Sequence, residues 1–517
     1  VLNAAILPTM VRTARMTAGA VERAGIAAPL MIMRSDGGVM DVREVAERPI
    51  LTMLSGPAAG IAGALLHENV TDGIFIEVGG TSADCSVIRR GMPQMRPARV
   101  GGHRTMLRNL DVRTLGIAGG SLSRFDRRGR GIAAFIDVGP RSAHIAGLQY
   151  SSFVQPEEFK DARAIFVHPQ PGDSDDYLAL ELRGGGRCAL TPTCAANLLG
   201  YVPEGAFARG NRASVEAAFA LAGAHFGCSG EDLARAILTR ATEKLAAAID
   251  ELIDDYELDR GTVELVGGGG GAAALVPFAA ERLGFAHRLA RDAEVISPIG
   301  VALALVRDVV ERTIVNPSPE DVVRIRREAF ERVVAAGASP DLVEVSVEID
   351  TRRNLVRATA SGATAAVARA VAAAEASPEE RRAAALRALR ARAEDLEPPV
   401  SVGAFTLFAA RRNRRSEEAD IAVVDERAVV RSIVRRGAAN VTTVGALEAT
   451  LTRVLEALTS FGDVGRALPE TTLIYIRRVA DLGTLAEPAH VLALASEEVR
   501  GLDAATPVAI LSARRSA

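Results

Sequence analysis

Three glycine-rich turns hold the residues of this sequence best suited to chemistry. Gly79, Gly80, Thr81 and Ser82 lie between two apolar runs, Gly73-Ile-Phe-Ile-Glu-Val78 and Ala83-Asp-Cys-Ser-Val-Ile88. Leu115-Gly-Ile-Ala-Gly-Gly-Ser121 is the second turn and ends in Gly119, Gly120 and Ser121. Val263-Glu-Leu-Val266 runs into the third, the glycines from Gly267 to Gly271. A glycine turn at a strand end can present backbone N–H groups to an anion with no β-carbon in the way. The first turn adds the hydroxyls of Thr81 and Ser82, and the carboxylate of Asp84 follows them. A triphosphate with Mg2+ calls for that set: N–H groups around its oxygens and a carboxylate for the metal or its water. One such turn would read as an ordinary hairpin; three, each following a strand, favour nucleotide binding. No Gly-Lys-Ser/Thr follows, so this is not a P-loop, and the turns do not form a dinucleotide fingerprint. No Ser-His-Asp or Cys-His set is readable, which fits a reaction driven by positioning and charge.

The elements that must position these turns can be read around them. The first stretch, to about Val70, reads as helix, strand, loop, helix: Ala28–Met33 is a short apolar strand that ends in Arg34-Ser-Asp-Gly-Gly38. Ser55 is the expected N-cap of a helix with Pro57 in its first turn, whose small residues imply that something packs very close against it. Residues 73–78 and 83–88 read as a β-hairpin around the first glycine turn. Ser229 caps a long helix, with Asp232 at the capping-box position and an apolar stripe of Leu233, Ile237, Ala241, Leu245, Ile249, Leu252 and Ile253. Residues 164–190 read as a β-meander inserted at the rim, and Ala272 to Leu283 as the helix after the third turn. Beyond Asn316-Pro-Ser-Pro319 the composition changes. Ser318 and Ser377 start capped helices, the first ending at Gly337, and Val343, Val345, Val347 and Ile349 alternate as a half-buried strand. Leu447, Leu451, Leu455 and Leu458 mark another helix, and 473–476, 491–495 and 507–511 are expected strands.

Composition narrows the function classes. A chain of 517 residues is too long for one ordinary core and implies two to four domains of about 100–200 residues each. Hydrophobic residues at 48% and charged residues at 24% describe a globular protein, with a core built from Ala, Val, Leu and Ile because aromatics are only 4%. Lys plus Arg is 61 against 64 for Asp plus Glu, a net charge of −3, which argues against a protein that coats nucleic acid or anionic membrane. The apolar stretch Val266–Ala280 contains Pro277 and is too short to span a bilayer, and no signal peptide opens the sequence. The cysteines Cys85, Cys188, Cys194 and Cys228 form no C-x-x-C pair and read as small buried hydrophobes of a cytoplasmic protein. Among the remaining polar residues, His103, Arg104, Arg108 and Asp111 either face a cleft or form a structural cluster, the reading preferred here, and Asp137 and His144 are read the same way. Arg411–Arg415 lacks interleaved aromatics and reads as a solvated loop, and the helix around Leu386 and Leu389 as core or subunit interface.

In order, Arg34-Ser-Asp-Gly-Gly-Val-Met40, Leu54-Ser-Gly-Pro-Ala-Ala-Gly60, Glu77-Val-Gly-Gly-Thr-Ser-Ala-Asp84, Asp111–Ser121, Val138-Gly-Pro-Arg-Ser-Ala143 and Leu190-Thr-Pro-Thr-Cys-Ala-Ala-Asn197 resemble the hydantoinase A / 5-oxoprolinase / acetone carboxylase β-subunit family over about the first three-fifths of the chain. The resemblance implies an actin/Hsp70/sugar-kinase type of α/β fold, with two ribonuclease-H-like halves around a nucleotide. It further implies ATP with Mg2+, activation of a cyclic amide or ketone, and a B-type partner subunit. Carried over by position, Gly79, Gly80, Thr81, Ser82 and Asp84 form the second phosphate loop, and Glu77 stands where the family has the Asp of Asp-x-Gly-Gly-Thr. Glu77 and Asp84 are thus the candidate metal carboxylates. Gly119, Gly120 and Ser121 fall in the Gly-Gly-Ser turn, and Gly267, Gly268, Gly269 and Gly270 in the adenosine loop. Glu243 and Lys244 fall where the fold often contacts ribose or adenine, a solvated helix face being the other reading. Besides Glu77, the departures are Cys194 for an Asp, Arg113 for a His, and Ile145–Tyr150 in place of the Pro-Gly-Pro-Ala-Cys-Tyr loop. Nothing before residue 77 matches the family's first phosphate loop, so Val1 is expected to lie inside the family pattern, late in its first half.

The expected organisation is a remnant of the first half of the core at 1–71, a ribonuclease-H-like domain at 72–315 and an α+β module at 316–517. The expected function is a subunit of an ATP-dependent amidohydrolase of hydantoinase/5-oxoprolinase type that phosphorylates a cyclic amide or carbonyl of a small molecule. The alternatives are a degenerate nucleotide-binding scaffold or reactivating chaperone of the same fold, and a subunit of an ATP-dependent ketone carboxylase. A homo-oligomer is a further expectation, as is the absence of nucleic-acid and membrane partners.

Overall fold

The computed structural model describes residues 2–515 apart from 27–29, 69, 71–72, 90–91, 101–102, 262, 365–374, 412–417 and 463–464. The chain divides into two compact units, one of residues 54–301 and one of residues 1–53 with 302–517.

The unit of residues 54–301 is built on two six-stranded sheets. In the first, Gly73–Val78 pairs antiparallel with Ala83–Arg89, which pairs antiparallel with Val112–Leu115. On its other side Gly73–Val78 runs parallel to Glu264–Gly268, which runs parallel to Ala286–Leu289. Apart from the two-residue strand Met92–Pro93, which pairs with Ala83–Arg89, the sheet's strands numbered along the chain stand in the order 3-2-1-4-5, the ribonuclease-H-like arrangement. The central strand is apolar and buried at every position except Glu77, as a strand covered on both faces must be. The long helix Gly230–Asp255 buries the predicted stripe from Leu233 to Ile253, and the Ser229 hydroxyl accepts the Asp232 N–H at 3.0 Å. Two elements differ from expectation. The helix Ser55–Leu66 has Leu54, at φ 62°, as its N-cap, and Ser55 is its first residue and not its cap. The meander of Arg163–Val167, Tyr177–Glu181 and Arg187–Ala189 is no rim insertion: its middle strand reaches Ser121–Phe125 through the Tyr177–Arg124 pair and so lies inside the second sheet.

The small residues of the 55–66 helix answer to a close neighbour. A β-carbon on Gly63 would stand 2.4 Å from the Ile296 carbonyl, and one on Gly300 would stand 1.9 Å from the Ala59 carbonyl. The two helices touch backbone to backbone there, which only glycine permits.

In the other unit Met31–Met33, Val39–Asp41, Val306–Thr313, Leu355–Thr364 and Ala338–Asp350 make one sheet in that spatial order. The Val39–Val306 pair joins the first fifty residues to the later segment, so the boundaries fall at 53/54 and 301/302 and not at 71/72 and 315/316. Arg34 clamps the loop between the first two strands. It donates to both carboxylate oxygens of Asp36, at 3.2 and 2.9 Å, and to the Arg307 carbonyl at 2.7 Å. Capping boxes at Ser318/Asp321 and Ser377/Glu380 start the helices Pro319–Ala335 and Pro378–Leu389 as expected. A seven-stranded sheet includes Glu470–Tyr475 and Pro507–Ala513. The expected strand at 491–495 is instead part of the helix Pro488–Glu498. Pro488 opens it, and Val491, Leu494, Ala495 and Glu498 are buried at helical spacing, which a short apolar run alone does not distinguish from a strand.

Glu498 is buried in this unit and takes hydrogen bonds from Arg326 Nε at 2.6 Å and from the Tyr475 hydroxyl. Arg326→Ala, which strands the carboxylate, is expected to lower unfolding stability by about 3–5 kcal/mol in urea titrations. A loss of under about 1 kcal/mol would show that the pair behaves as an exposed one.

Candidate functional site

The three glycine turns meet within the 54–301 unit. Gly79 donates its N–H to the Ser82 carbonyl at 3.0 Å and closes the hairpin, and its own carbonyl accepts the Gly119 N–H at 3.2 Å. Gly271 donates to the Val78 carbonyl at 2.8 Å. A β-carbon on Gly119 would lie 3.2 Å from Gly271 Cα, one on Gly271 would lie 2.7 Å from the Gly79 carbonyl, and one on Gly120 would lie 2.5 Å from the Gly80 carbonyl. Side chains on these turns would force them apart. Gly80 and Thr81 lie outside the hairpin ladder, with no protein acceptor for either N–H among the described residues. Ser121 is buried and turns inward, its hydroxyl accepting the Ala118 N–H at 2.8 Å. Thr81 Oγ1 is 3.0 Å from Ser142 Oγ.

Beside the third turn opens a cavity of about 250 Å³, lined by Gly205–Ala208, Gly269, Gly270, Ala273, Leu289, Ala290 and Asp292–Glu294. Phe207 is 69% exposed, and its ring carbon would stand 3.0 Å from a β-carbon on Gly270. The volume falls below the range of about 300–1,000 Å³ usual for whole small-molecule pockets, so it suits one fragment of a larger ligand. Its lining combines a free aromatic face with two carboxylates at the rim. Sequence reasoning missed Phe207, Asp292 and Glu294. The available signal was an aromatic residue set among small ones, in a chain with few aromatics.

The candidate metal carboxylates are cross-strand partners, Glu77 opposite Asp84. Asp84 accepts a hydrogen bond from the Thr114 hydroxyl, and burial raises its pKa. Glu77 is different. Oε1 accepts from the Ser297 hydroxyl, while Oε2 is buried with no hydrogen-bond partner among the described residues, close against Gly60. Burial, reinforced by the charge of Asp84, lifts its pKa to about 7 against a hydrogen bond from Ser297 that lowers it. A carboxyl whose second oxygen is turned against a helix backbone is poorly placed as a metal ligand. Among the described residues no group of three or more His, Cys, Asp or Glu side chains is placed to hold a metal ion.

Glu243 and Lys244 are not brought to the cavity lining. Lys244 donates to the Val138 carbonyl at 2.6 Å and sits 2.9 Å from Asp137, and Glu243 pairs with Arg240 at 3.1 Å. Asp137 thus belongs to a structural cluster, held by Lys244 and Arg240. Asp111 does too: it is buried and bound by Arg96, Arg113 and the Tyr256 hydroxyl. The side chains of His103, Arg104 and Arg108, and residues 412–415 of the basic run, lie outside the described residues. Cys194 is buried 3.2 Å from Thr191 Oγ1, and burial lifts the Cys85 thiol to about 12.

A ribonuclease-H-like sheet with glycine turns gathered at its strand ends places this unit among the actin/Hsp70-type α/β folds. The profile of the hydantoinase/oxoprolinase family matches residues 1–310, and the chain belongs to that family. It is 26% identical over 293 residues to the caprolactamase α subunit of Pseudomonas jessenii, a stretch covering 55% of this chain and 37% of that one. Two solved structures are similar. An acetone carboxylase, nucleotide-free and studied for ATP-dependent acetone carboxylation, has a TM-score of 0.47 and 16% identity over 80% of this chain and 61% of its own. The ATP-dependent caprolactamase of Pseudomonas jessenii has a TM-score of 0.48 and 21% identity over 68% of this chain and 56% of its own. The chain therefore spans little over a third of the curated relative and under two thirds of the two solved chains. Among the described residues no helix is long and apolar enough to cross a membrane.

The state of Glu77 can be measured through stability. A carboxyl with a folded pKa of about 7 and an ordinary value of 4.5 favours folding fully below about pH 4.5 and loses that contribution as pH rises to 7. The difference corresponds to roughly 3 kcal/mol. Glu77→Gln carries no charge, so its stability relative to the parent should rise by about that amount between pH 5 and pH 8 in denaturant titrations. Parallel pH profiles for the two proteins would mean that Glu77 is ionised throughout.

Proposed function

We propose that this chain is a subunit of an ATP-dependent amidohydrolase of the hydantoinase/5-oxoprolinase type, acting on a cyclic amide or related carbonyl compound. The convergence of the three glycine turns beside the Phe207 cavity carries this reading. The cavity suits the nucleoside, with the base against Phe207 and the ribose hydroxyls toward Asp292 and Glu294. The phosphates then lie over Gly79–Ser82 and Gly119–Ser121, with Gly267–Gly270 forming the wall between. ATP supplies a transferable phosphoryl group, which converts an amide oxygen into a leaving group. The chain's own part is to fix the phosphates with N–H groups and hydroxyls, in a site whose dipoles are already oriented. For Mg2+, Asp84 is the one carboxylate of the pair that fits, and no step is assigned to the metal.

Membership in the family, together with the name of the caprolactamase α subunit, supports a complex with a B-type partner. A small-molecule substrate, a cytoplasmic setting and self-association of the chain belong to the same proposal. A second reading, a nucleotide-binding scaffold without turnover, is favoured by the inward Glu77 and by Cys194 where the family has an acid.

The decisive experiment measures ATP hydrolysis by the chain with its B-type partner across lactams, hydantoins, and ketones with bicarbonate. Stimulation by a cyclic amide is the expected result. Stimulation by a ketone alone would move the proposal to a carboxylase, and ATP binding without stimulation to a scaffold. In calorimetry Phe207→Ala should weaken ATP binding by about tenfold, the scale of one lost base–aromatic stack.

A further inference from the structure

A histidine–tyrosine pair sits against Gly80 and Gly120, and neither residue lines the cavity. Tyr150 Oη is 3.1 Å from His144 Nε2. The pair fills the space where side chains of two turns would stand. A β-carbon on Gly80 would lie 2.3 Å from His144 Nε2 and 3.4 Å from the Tyr150 hydroxyl, and one on Gly120 would lie 2.0 Å from that hydroxyl. The position is built from several directions. Ser142 caps the short helix Ala143–Ala146 that carries His144, and the Ala143 N–H donates to the Gly120 carbonyl at 2.8 Å. Tyr150 stacks on Phe153 at 5.8 Å and lies in a strand paired with Arg187–Ala189.

The backbone contacts set an order. The cavity borders Gly269 and Gly270; Gly271 touches Gly79 and Gly119; Gly80 and Gly120 touch each other and then the pair. A nucleotide with its base in the cavity runs along that line, so the phosphate farthest from the ribose arrives at His144 and Tyr150. The bond between them uses one proton. With His144 Nε2–H donating to Tyr150 Oη, the Tyr150 hydroxyl is left to donate to a phosphate oxygen and His144 orients it, and burial raises the Tyr150 pKa, which keeps that hydroxyl protonated. The neighbouring cations are engaged elsewhere: Arg141 with Asp173 at 2.7 Å, and Lys244 and Arg240 with Asp137 at 2.9 Å each.

We propose that Tyr150, oriented by His144, contacts the terminal phosphoryl group of the bound nucleotide and makes the site discriminate a triphosphate from a diphosphate and a monophosphate. The proposal rests on the nucleotide reading above and goes further, since it gives the distal phosphate a phenol held by a histidine in addition to glycine N–H groups.

The test is calorimetric titration of the full chain with ATP, ADP and AMP in Mg2+ buffer, for the parent, His144→Ala and Tyr150→Phe, with melting temperatures measured alongside. The expected result is a loss of about tenfold in ATP affinity for each variant, as for removal of a hydrogen bond to a charged group. AMP affinity should stay within about twofold of the parent and Tm should not move, because the nucleoside end is untouched. Tyr150→Phe keeps the ring and its stacking, so it decides the matter if His144→Ala proves unstable. Parent-like ATP affinity in Tyr150→Phe would overturn the proposal. So would an equal loss for all three nucleotides, which would make the pair a buttress of the turns. A parent that binds none of the three would overturn the nucleotide reading together with this one, whereas a parent that binds ATP confines any failure to the pair.

Discussion

The candidate site depends on how closely three stretches of backbone approach one another. Gly79, Gly119 and Gly271 come from a hairpin, a strand-to-strand turn and a strand-to-helix turn that are far apart in sequence. They meet through main-chain hydrogen bonds of 2.8–3.2 Å with no side chain between them. The absence of β-carbons makes that approach possible, and the N–H groups left over at Gly80 and Thr81 are its chemical result. Two of the turns are pinned from outside the cluster as well: Thr193 donates to the Gly119 carbonyl and Ala143 to that of Gly120 in the second, and Gly269 to that of Ala293 in the third. The oriented dipoles are therefore set by the sheet and its helices before any ligand arrives, the condition under which backbone groups stabilise charge most effectively.

A second set of glycines governs Glu77. Gly60 leaves room for its carboxyl beside the helix backbone, and Ser297, on the helix that crosses at Gly63 and Gly300, donates to it. An Asp in this place would be one methylene shorter and would not extend so far into that crossing. The longer side chain is thus tied to a second helix, and the same packing that buries it raises its pKa. Asp84, directly opposite on the next strand, accepts from a threonine hydroxyl, its one side-chain partner among the described residues. The two carboxyls, both candidates by sequence, are separated by environment.

Much of this was legible in the sequence because it is local. The hairpin of 73–89, the helix from 230 with its Ser229 cap, both later capping boxes and the alternation at 343–349 follow from patterns within a few residues of one another. What was not legible depends on distant pairing. Val39 joins Val306, and Tyr177 joins Arg124, and no local pattern reports either bridge. Val491–Ala495 failed for another reason: five apolar residues satisfy strand and helix alike, and Pro488 with the burial of Glu498 settles the choice. The glycine turns are recognisable by type, but their contact with one another, and the inward turn of Glu77, arise from tertiary packing that no local pattern reports.

The placement of Glu243 and Lys244 shows why a position on a helix does not transmit a role. Both lie on the long helix at the height of residues 135–142, where Asp137 offers a carboxylate and Val138 a carbonyl. An ammonium within 3 Å of both is already satisfied, and moving it to a ribose would leave Asp137 with fewer donors in a half-buried place. The carboxylates that do line the cavity, Asp292 and Glu294, come from the segment after the strand Ala286–Leu289. In a sheet of order 3-2-1-4-5 the last two strands lie side by side, so the segment after strand five necessarily returns beside the turn after strand four. Strand order, more than helix position, brings an acid to the glycine loop.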